Sequence, residues 1–141
     1  MLLRMSLPQL LQKLRGQTFA DDDNARPLVT LEEFFVGNED PGSIGCNLVP
    51  HPGVAEFFRV LRGIRERADV EDVLVGVSED MGDDTWPFSD CVYVITSAAA
   101  SDVESWVETL GPEPVVADDP EPPANLSTSR PGYRVITVWW D

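Results

Sequence analysis

Cys46 and His51 are the residues of this chain whose types and spacing come nearest to a catalytic pair. An imidazole that removes the proton from a thiol makes it a nucleophile, and Asn47 or Asp40 would orient the ring. A structural interpretation fits the same residues, with Cys46 as a small apolar side chain on a strand and His51 in a loop between two prolines. The sequence favours the structural roles, because closeness along the chain does not establish contact in space. A thiol hydrolase or transferase is the enzymatic alternative.

Cys91 is the second of the two cysteines. If its strand neighbours that of Cys46, the two thiolates, His51 and a carboxylate would form a zinc ligand set. The spacing matches no zinc finger or ribbon, so we expect two reduced thiols, no metal site and no cofactor. Free thiols outside a CxxC motif indicate the reducing cytoplasm.

An acidic run beside a tryptophan stands out in the connection between two predicted strands. Its members are Glu79, Asp80, Asp83, Asp84 and Trp86. Carboxylates next to an exposed indole would receive an arginine or lysine of a protein partner, with the indole stacked on the cation. In the alternative, the tryptophan and Phe88 fold over the sheet edge while the acids face water.

Asn38 and Asp40 stand beside Ser43 and two glycines, just before a predicted strand. Polar side chains in this arrangement would bind a small polar ligand, as in a sensor domain. Asn and Asp also bond to their own backbone in tight turns, which is the interpretation that the residue types favour. The glycines are followed by no P-loop lysine, so nucleotide hydrolysis is not expected.

Charge narrows the classes of partner. The 141 residues include 25 acidic and 10 basic ones, for a net charge of −15. This charge repels phosphate backbones and anionic lipids, so we expect no nucleic-acid partner and no membrane contact. It suits a basic protein partner, and it equally suits simple solubility.

Apolar spacing and turn residues predict the elements that hold these side chains. Helices are predicted at residues 6–16, 30–36, 52–68 and 101–111, with capping boxes that begin at Thr30 and Ser101. Arg65 falls within the apolar stripe of the third helix, so we expect it to extend its charged end to the solvent or to pair with an acid. Strands are predicted at residues 44–49, 73–78, 91–96 and 133–140.

This order predicts an α+β fold, a ferredoxin-like βαββαβ antiparallel sheet with both helices on one face. Residues 1–43 form an N-terminal helical extension that packs on the α+β domain at 44–141, as one globular unit. The alternative is a longer sheet with a further strand at residues 115–116. The last strand is apolar on both sides, so its second face must be covered by the N-terminal helices or by a second copy. If a second copy covers this face, the protein forms a homodimer through the sheet face or edge.

Three segments carry a resemblance: LEEFFVGNEDPGSIGCNLVPHPG, WPFSDCVYVITSA and YRVITVWWD. The chain resembles small acidic bacterial proteins of unassigned role. The resemblance implies a bacterial, cytoplasmic protein and carries over no functional residues.

The sequence thus predicts a non-enzymatic acidic interaction module that binds a protein partner through the acidic run and the sheet edge. An inhibitor or immunity-type protein directed against a basic toxin is one version. The Cys-His thiol enzyme and the small-molecule sensor are the alternatives.

Overall fold

The computed structural model describes residues 7–17, 27–79, 81–111, 116–118, 126 and 130–140. The helices are α1 (Leu7–Gln17), α2 (Leu31–Phe35), α3 (Val54–Arg65) and α4 (Ala100–Trp106), with 3-10 turns at Pro41–Ser43 and Glu108–Leu110. The strands are β1 (Leu28–Thr30), β2 (Val70–Gly76), β3 (Cys91–Thr96), β4 (Val116–Asp118) and β5 (Arg134–Trp139).

These strands form one sheet in the order β1-β2-β3-β5-β4, in which every neighbouring pair is antiparallel. The central strand β3 pairs with β2 through Val75↔Val92 and with β5 through Val92↔Val138. The α+β class and the antiparallel sheet are therefore confirmed. A strand near residue 116 is also present, as the longer-sheet alternative predicted.

The ferredoxin-like strand order is not confirmed. That order requires a strand between the two that a helix connects, whereas β1 lies directly beside β2, with Leu28 opposite Gly76. The chain leaves β1 straight into α2 and returns through α3, so the first half of the sheet is a neighbouring antiparallel pair. In the second half, β5 does lie between β3 and β4. β1, which lies within the residues predicted to form the N-terminal extension, is thus an edge strand of the same sheet.

The predicted strand at residues 44–49 was wrong. Ile44 makes a single bridge with Ser89, and the chain then turns. Gly45 has φ +63°, in the left-handed region that favours glycine, and its carbonyl accepts a hydrogen bond from Leu48 N at 3.0 Å. Ile44 is buried and Leu48 packs against the core, so the alternating apolar residues are separate anchors of a loop.

Helix starts follow the local capping signals. The capping box at α2 is confirmed: Thr30 Oγ1 accepts from Glu33 N at 3.1 Å, and Glu33 Oε1 accepts from Thr30 N at 2.8 Å. The box predicted at Ser101 was wrong, because α4 begins two residues earlier. Asp102 accepts from Ala99 N at 3.3 Å and takes the position predicted for Glu104.

One face of the sheet carries the main core. Leu10 of α1, Phe34 of α2, Phe57 of α3 and Val103 of α4 are fully buried in one cluster with the inward residues of β2, β3 and β5. Because α1 and α2 lie on this face, the prediction that they cover the second face was wrong. On the second face, the buried Leu126 packs in the cluster that contains β3 and β5 residues. Each terminal indole serves a different face, with Trp140 in the main core and Trp139 in the second cluster.

Candidate protein-binding surface

The hairpin loop, defined here as residues 77–90, connects β2 to β3 and carries most of the predicted binding residues. Its base continues the strand pairing: Ser78 N and Glu79 N donate to Phe88 O at 2.8 and 3.2 Å, and Phe88 N donates to Glu79 O at 2.9 Å. These bonds hold the two ends of the loop together, so its backbone geometry is fixed at the base.

Ser89 ties the hairpin loop to the rest of the fold. Its buried hydroxyl donates to Gly76 O at 2.7 Å or Cys91 O at 2.9 Å, and its amide donates to Ser43 O at 2.8 Å. The sequence analysis did not single out this serine. It lies two residues before β3, and because it is fully buried its hydroxyl must bond to backbone.

Three of the described carboxylates of the hairpin loop face water, whereas Asp90 is half-buried and accepts a hydrogen bond from Ser78 Oγ. Glu79, Asp83 and Asp84 are exposed, and the Asp83 side chain is 82% exposed. Asp83 Oδ1 lies 2.9 Å from an Arg15 nitrogen of α1, while Asp80 lies outside the described residues. A pair so open to solvent contributes little to stability, so the loop presents these acids as surface charge.

Trp86 is half-buried and packs against the main core. Its indole N–H is shielded from solvent and has no hydrogen-bond partner among the residues that the structure describes. Phe88, also half-buried, sits in the paired base of the loop. Trp86 therefore anchors the loop, and the exposed part of the surface includes three carboxylates and Met81, which is 49% exposed.

The polar side-chain atoms of Asn38 and Asp40 form hydrogen bonds within a turn. Asn38 Oδ1 accepts from Asp40 N at 2.9 Å, and its amide donates to Ser43 Oγ at 2.9 Å. Asp40 Oδ1 accepts from Gly42 N at 2.9 Å as the cap of the 3-10 turn. These bonds are the turn chemistry that the residue types favoured.

Both ring nitrogens of His51 form hydrogen bonds with backbone groups. Gly53 N donates to Nδ1 at 2.8 Å, so the neutral ring carries its proton on Nε2, which donates to Ile44 O at 2.8 Å. The ring in this state has no nitrogen left to accept a proton from a thiol. Cys46 is exposed and Cys91 is buried, and neither forms a disulfide. In the part of the chain that the structure describes, no three His, Cys, Asp or Glu residues gather as a metal ligand set.

Comparison with known proteins places the chain among its relatives. The Uncharacterized protein YfbO family matches residues 5–138. The chain belongs to this family. It is 38% identical over 121 residues to the "Uncharacterized protein YfbO" of Escherichia coli (strain K12), which covers 84% of this chain and 86% of that protein. The resemblance to bacterial proteins of unassigned role is thereby confirmed. No solved structure matches the chain.

In this YfbO family member, none of the helices that the structure describes has the length and apolar character needed to cross a membrane.

Two shifted carboxyl groups lie on α2. The hydrogen bond from Arg65 lowers the pKa of Glu32 below its ordinary value. Burial raises the pKa of Glu33, but hydrogen bonds from Lys13 and Thr30 outweigh it and lower the pKa overall. Both shifts report contacts that join helices, and the pairing predicted for Arg65 is confirmed.

Sequence reasoning also missed a second surface of this family member, a groove beside α3 that contains Arg59, Arg67 and Trp106. The signal available was the density of arginine in residues 59–67, which contain four of the ten basic residues. Spacing alone does not place Trp106 of α4 beside them.

Proposed function

We propose that this protein is a non-enzymatic module that binds a basic protein partner through the carboxylates of the hairpin loop. The observation that carries the proposal is their presentation: Glu79, Asp83 and Asp84 are exposed on a loop whose base is hydrogen-bonded and whose Trp86 is anchored in the core. A fixed array of like charges binds a complementary surface without first being ordered.

The net charge of −15 acts at longer range. It accelerates the approach of a basic partner and slows the approach of an acidic one. Because exposed charges are screened within about 8 Å at physiological ionic strength, the association rate falls as salt is added. An inhibitor or immunity-type protein against a basic toxin would use both effects.

The enzyme and sensor alternatives receive less support. His51 is occupied by Ile44 and Gly53, and the polar atoms of Asn38 and Asp40 are bonded within their turn. Two cysteines outside a disulfide suit the cytoplasm, which we propose as the location of the protein. Repulsion between two copies at −15 argues for a different protein as partner, ahead of a homodimer.

The experiment is a matched pair of charge-neutralised variants. Glu79→Gln/Asp84→Asn removes two exposed charges from the hairpin loop and leaves the pair of Asp83 with Arg15 intact. Glu104→Gln/Glu108→Gln removes two exposed charges from the α4 region and is the control. Each chain is mixed with an extract of a bacterium that produces it naturally and is cross-linked there at low and at high salt, and the captured proteins are quantified.

We expect one basic protein to be captured by the wild type and the control, and several-fold less by the loop variant, with capture falling as salt rises. Equal capture by both variants would contradict the role of the hairpin loop. Capture that is independent of salt, or capture of the chain's own second copy alone, would contradict the basic partner.

A further inference from the structure

The α3 segment is a cationic region in an acidic protein. Residues 54–69 contain four arginines and three acids, a net charge of +1 in a chain of net charge −15. Of these arginines, Arg65 forms an ion pair with Glu32, and the guanidinium carbon of Arg62 lies 5.0 Å from the centre of the Phe58 ring. Arg59 of α3 and Arg67, two residues beyond the end of α3, line a groove. This charge has no part in the function proposed above.

The groove has a volume of about 350 Å³ and lies between α3 and the end of α4. Its walls combine two kinds of surface: the aliphatic side chains of Val60 and Ile64, and the guanidinium groups of Arg59 and Arg67 beside the Trp106 indole. Small-molecule sites are built in this way, from an apolar floor and a few polar groups that fix orientation.

Arg67 is the best-placed donor in the groove. Its guanidinium carbon lies 4.0 Å from the centre of the Trp106 ring, and its Nε lies 3.2 Å from Asp69 Oδ1. Its terminal nitrogens make no hydrogen bond to any residue that the structure describes. Arg59 points Nε and one terminal nitrogen at Glu56, which leaves its other N–H groups for a ligand. A planar guanidinium held against an indole is preorganised to bind an oxyanion through two hydrogen bonds.

Gly63 keeps the groove open. It lies inside α3, where glycine is about 1 kcal/mol less favourable than alanine. An ideal Cβ built at this residue meets no atom within 4 Å, so packing gives no reason for a glycine there. Gly63 lines the groove. A long side chain at this position would occupy the space between α3 and Trp106.

We propose that this groove binds a small organic anion, with its carboxylate held by Arg67 and Arg59 and its flat apolar body against Val60 and Ile64. The proposal rests on the groove alone and is independent of the hairpin loop. The chemistry selects a planar carboxylate over a cation or a neutral molecule of the same shape, because only the anion gains the charge-assisted hydrogen bonds.

The test is a titration of the ¹⁵N-labelled full chain with benzoate, followed by nuclear magnetic resonance. Benzoate is added up to about 20 mM, which covers the weak affinity expected of so small a probe. Benzamide, a neutral molecule of the same shape, is titrated in parallel. We expect saturable shifts of the Gly63 amide and the Trp106 indole signals with benzoate, and none with benzamide.

Three variants and a matched control assign the site. Arg67→Gln is expected to weaken benzoate binding about tenfold, through the loss of charge-assisted bonds. Gly63→Leu is expected to abolish binding by filling the groove, whereas Gly63→Ala is expected to preserve it. Arg62→Gln removes an equal charge outside the groove and is expected to change little. Because leucine and alanine are better helix formers than glycine, the Gly63 variants remain folded.

Three outcomes would overturn the proposal: the absence of saturable shifts at Gly63 and Trp106, equal binding of benzamide, or undiminished binding by Gly63→Leu.

Discussion

Arg65 and Glu32 form a two-point ion pair, with each of two guanidinium nitrogens 2.6 Å from a carboxylate oxygen. The pair joins α3 to α2 across 33 residues of sequence. The pair also explains why a charged residue can lie in the apolar stripe of α3. The aliphatic part of the Arg65 side chain covers core surface, and its guanidinium group reaches an acid on α2.

This pair is expected to contribute measurably to stability. Arg65→Gln should lower the free energy of unfolding by about 0.5–1 kcal/mol, a value at the upper end for a pair that is partly open to water. A double-mutant cycle with Glu32→Gln, read by urea unfolding, isolates the interaction. The Glu56 and Arg59 pair lies within one helix, three residues apart, with the Arg59 side chain 67% exposed, and a cycle on it is the control, with weaker coupling expected. Equal coupling in the two cycles would contradict the assignment.

Acid is expected to remove the contribution of Glu32 and Glu33. The pKa of each is below the ordinary value of 4.5 in the folded protein, so the unfolded chain binds protons first as the pH falls. The stabilisation is therefore fully present above 4.5 and declines at lower pH, as the folded pKa values are passed. Urea unfolding at several pH values checks this: Glu32→Gln/Glu33→Gln should show a shallower loss of stability in acid than the wild type. An identical pH dependence in the variant would refute it.

Local signals in the sequence were the ones that predicted structure correctly. The Thr30 box depends on a spacing of three residues within one helical turn. The place of Arg65 in the apolar stripe also follows from spacing within α3, whereas its partner Glu32 lies 33 residues away. The prediction of a strand at residues 44–49 was wrong because the pattern of apolar residues there has a cause that is not local. Ile44 and Leu48 alternate like strand residues, but their burial comes from separate contacts with the core across a turn at Gly45.

The candidate sites show the same limit. The acids of the hairpin loop were visible in the sequence because they are contiguous. The bonds that occupy His51 come from backbone groups, which no residue type reveals. The groove at Arg67 and Trp106 joins residues that only the packing of α3 against α4 brings together. The sequence analysis did not predict β1, because a strand of three residues is too short to show an alternating pattern.

Gly63→Ala is expected to stabilise the protein. The position is helical, has room for a methyl group and does not need a positive φ. The substitution removes freedom from the unfolded chain and should raise the free energy of unfolding by about 0.5–1 kcal/mol. Thermal and urea unfolding measure it, with Gly45→Ala as the contrasting variant. Gly45 has φ +63°, and a Cβ there would lie 2.9 Å from both Leu48 and Phe57, so that change should destabilise. A destabilising Gly63→Ala would contradict the open groove.

The two thiols are expected to differ in reactivity. Cys46 is exposed and should react with a thiol reagent in the native protein, whereas Cys91 is fully buried beneath the second face of the sheet. The native chain should therefore consume one equivalent of reagent quickly, and the denatured chain two. Cys46→Ser is the control and should abolish the fast phase. A fast phase that survives in this variant would show that β3 opens readily.

His51→Ala is expected to loosen the loop between Ile44 and α3. The imidazole is the link between the two ends of this loop, and its loss leaves the Ile44 carbonyl and the Gly53 amide without their partner. Breaking two such bonds at a half-buried site should lower the free energy of unfolding by about 1–3 kcal/mol. Hydrogen exchange of the Gly53 amide should accelerate more than exchange in β3, because the opening is local. Asn47→Ala, an exposed change in the same loop, is the control and should leave the protection of Gly53 unchanged. If His51→Ala also leaves Gly53 protected, the imidazole is not what closes the loop.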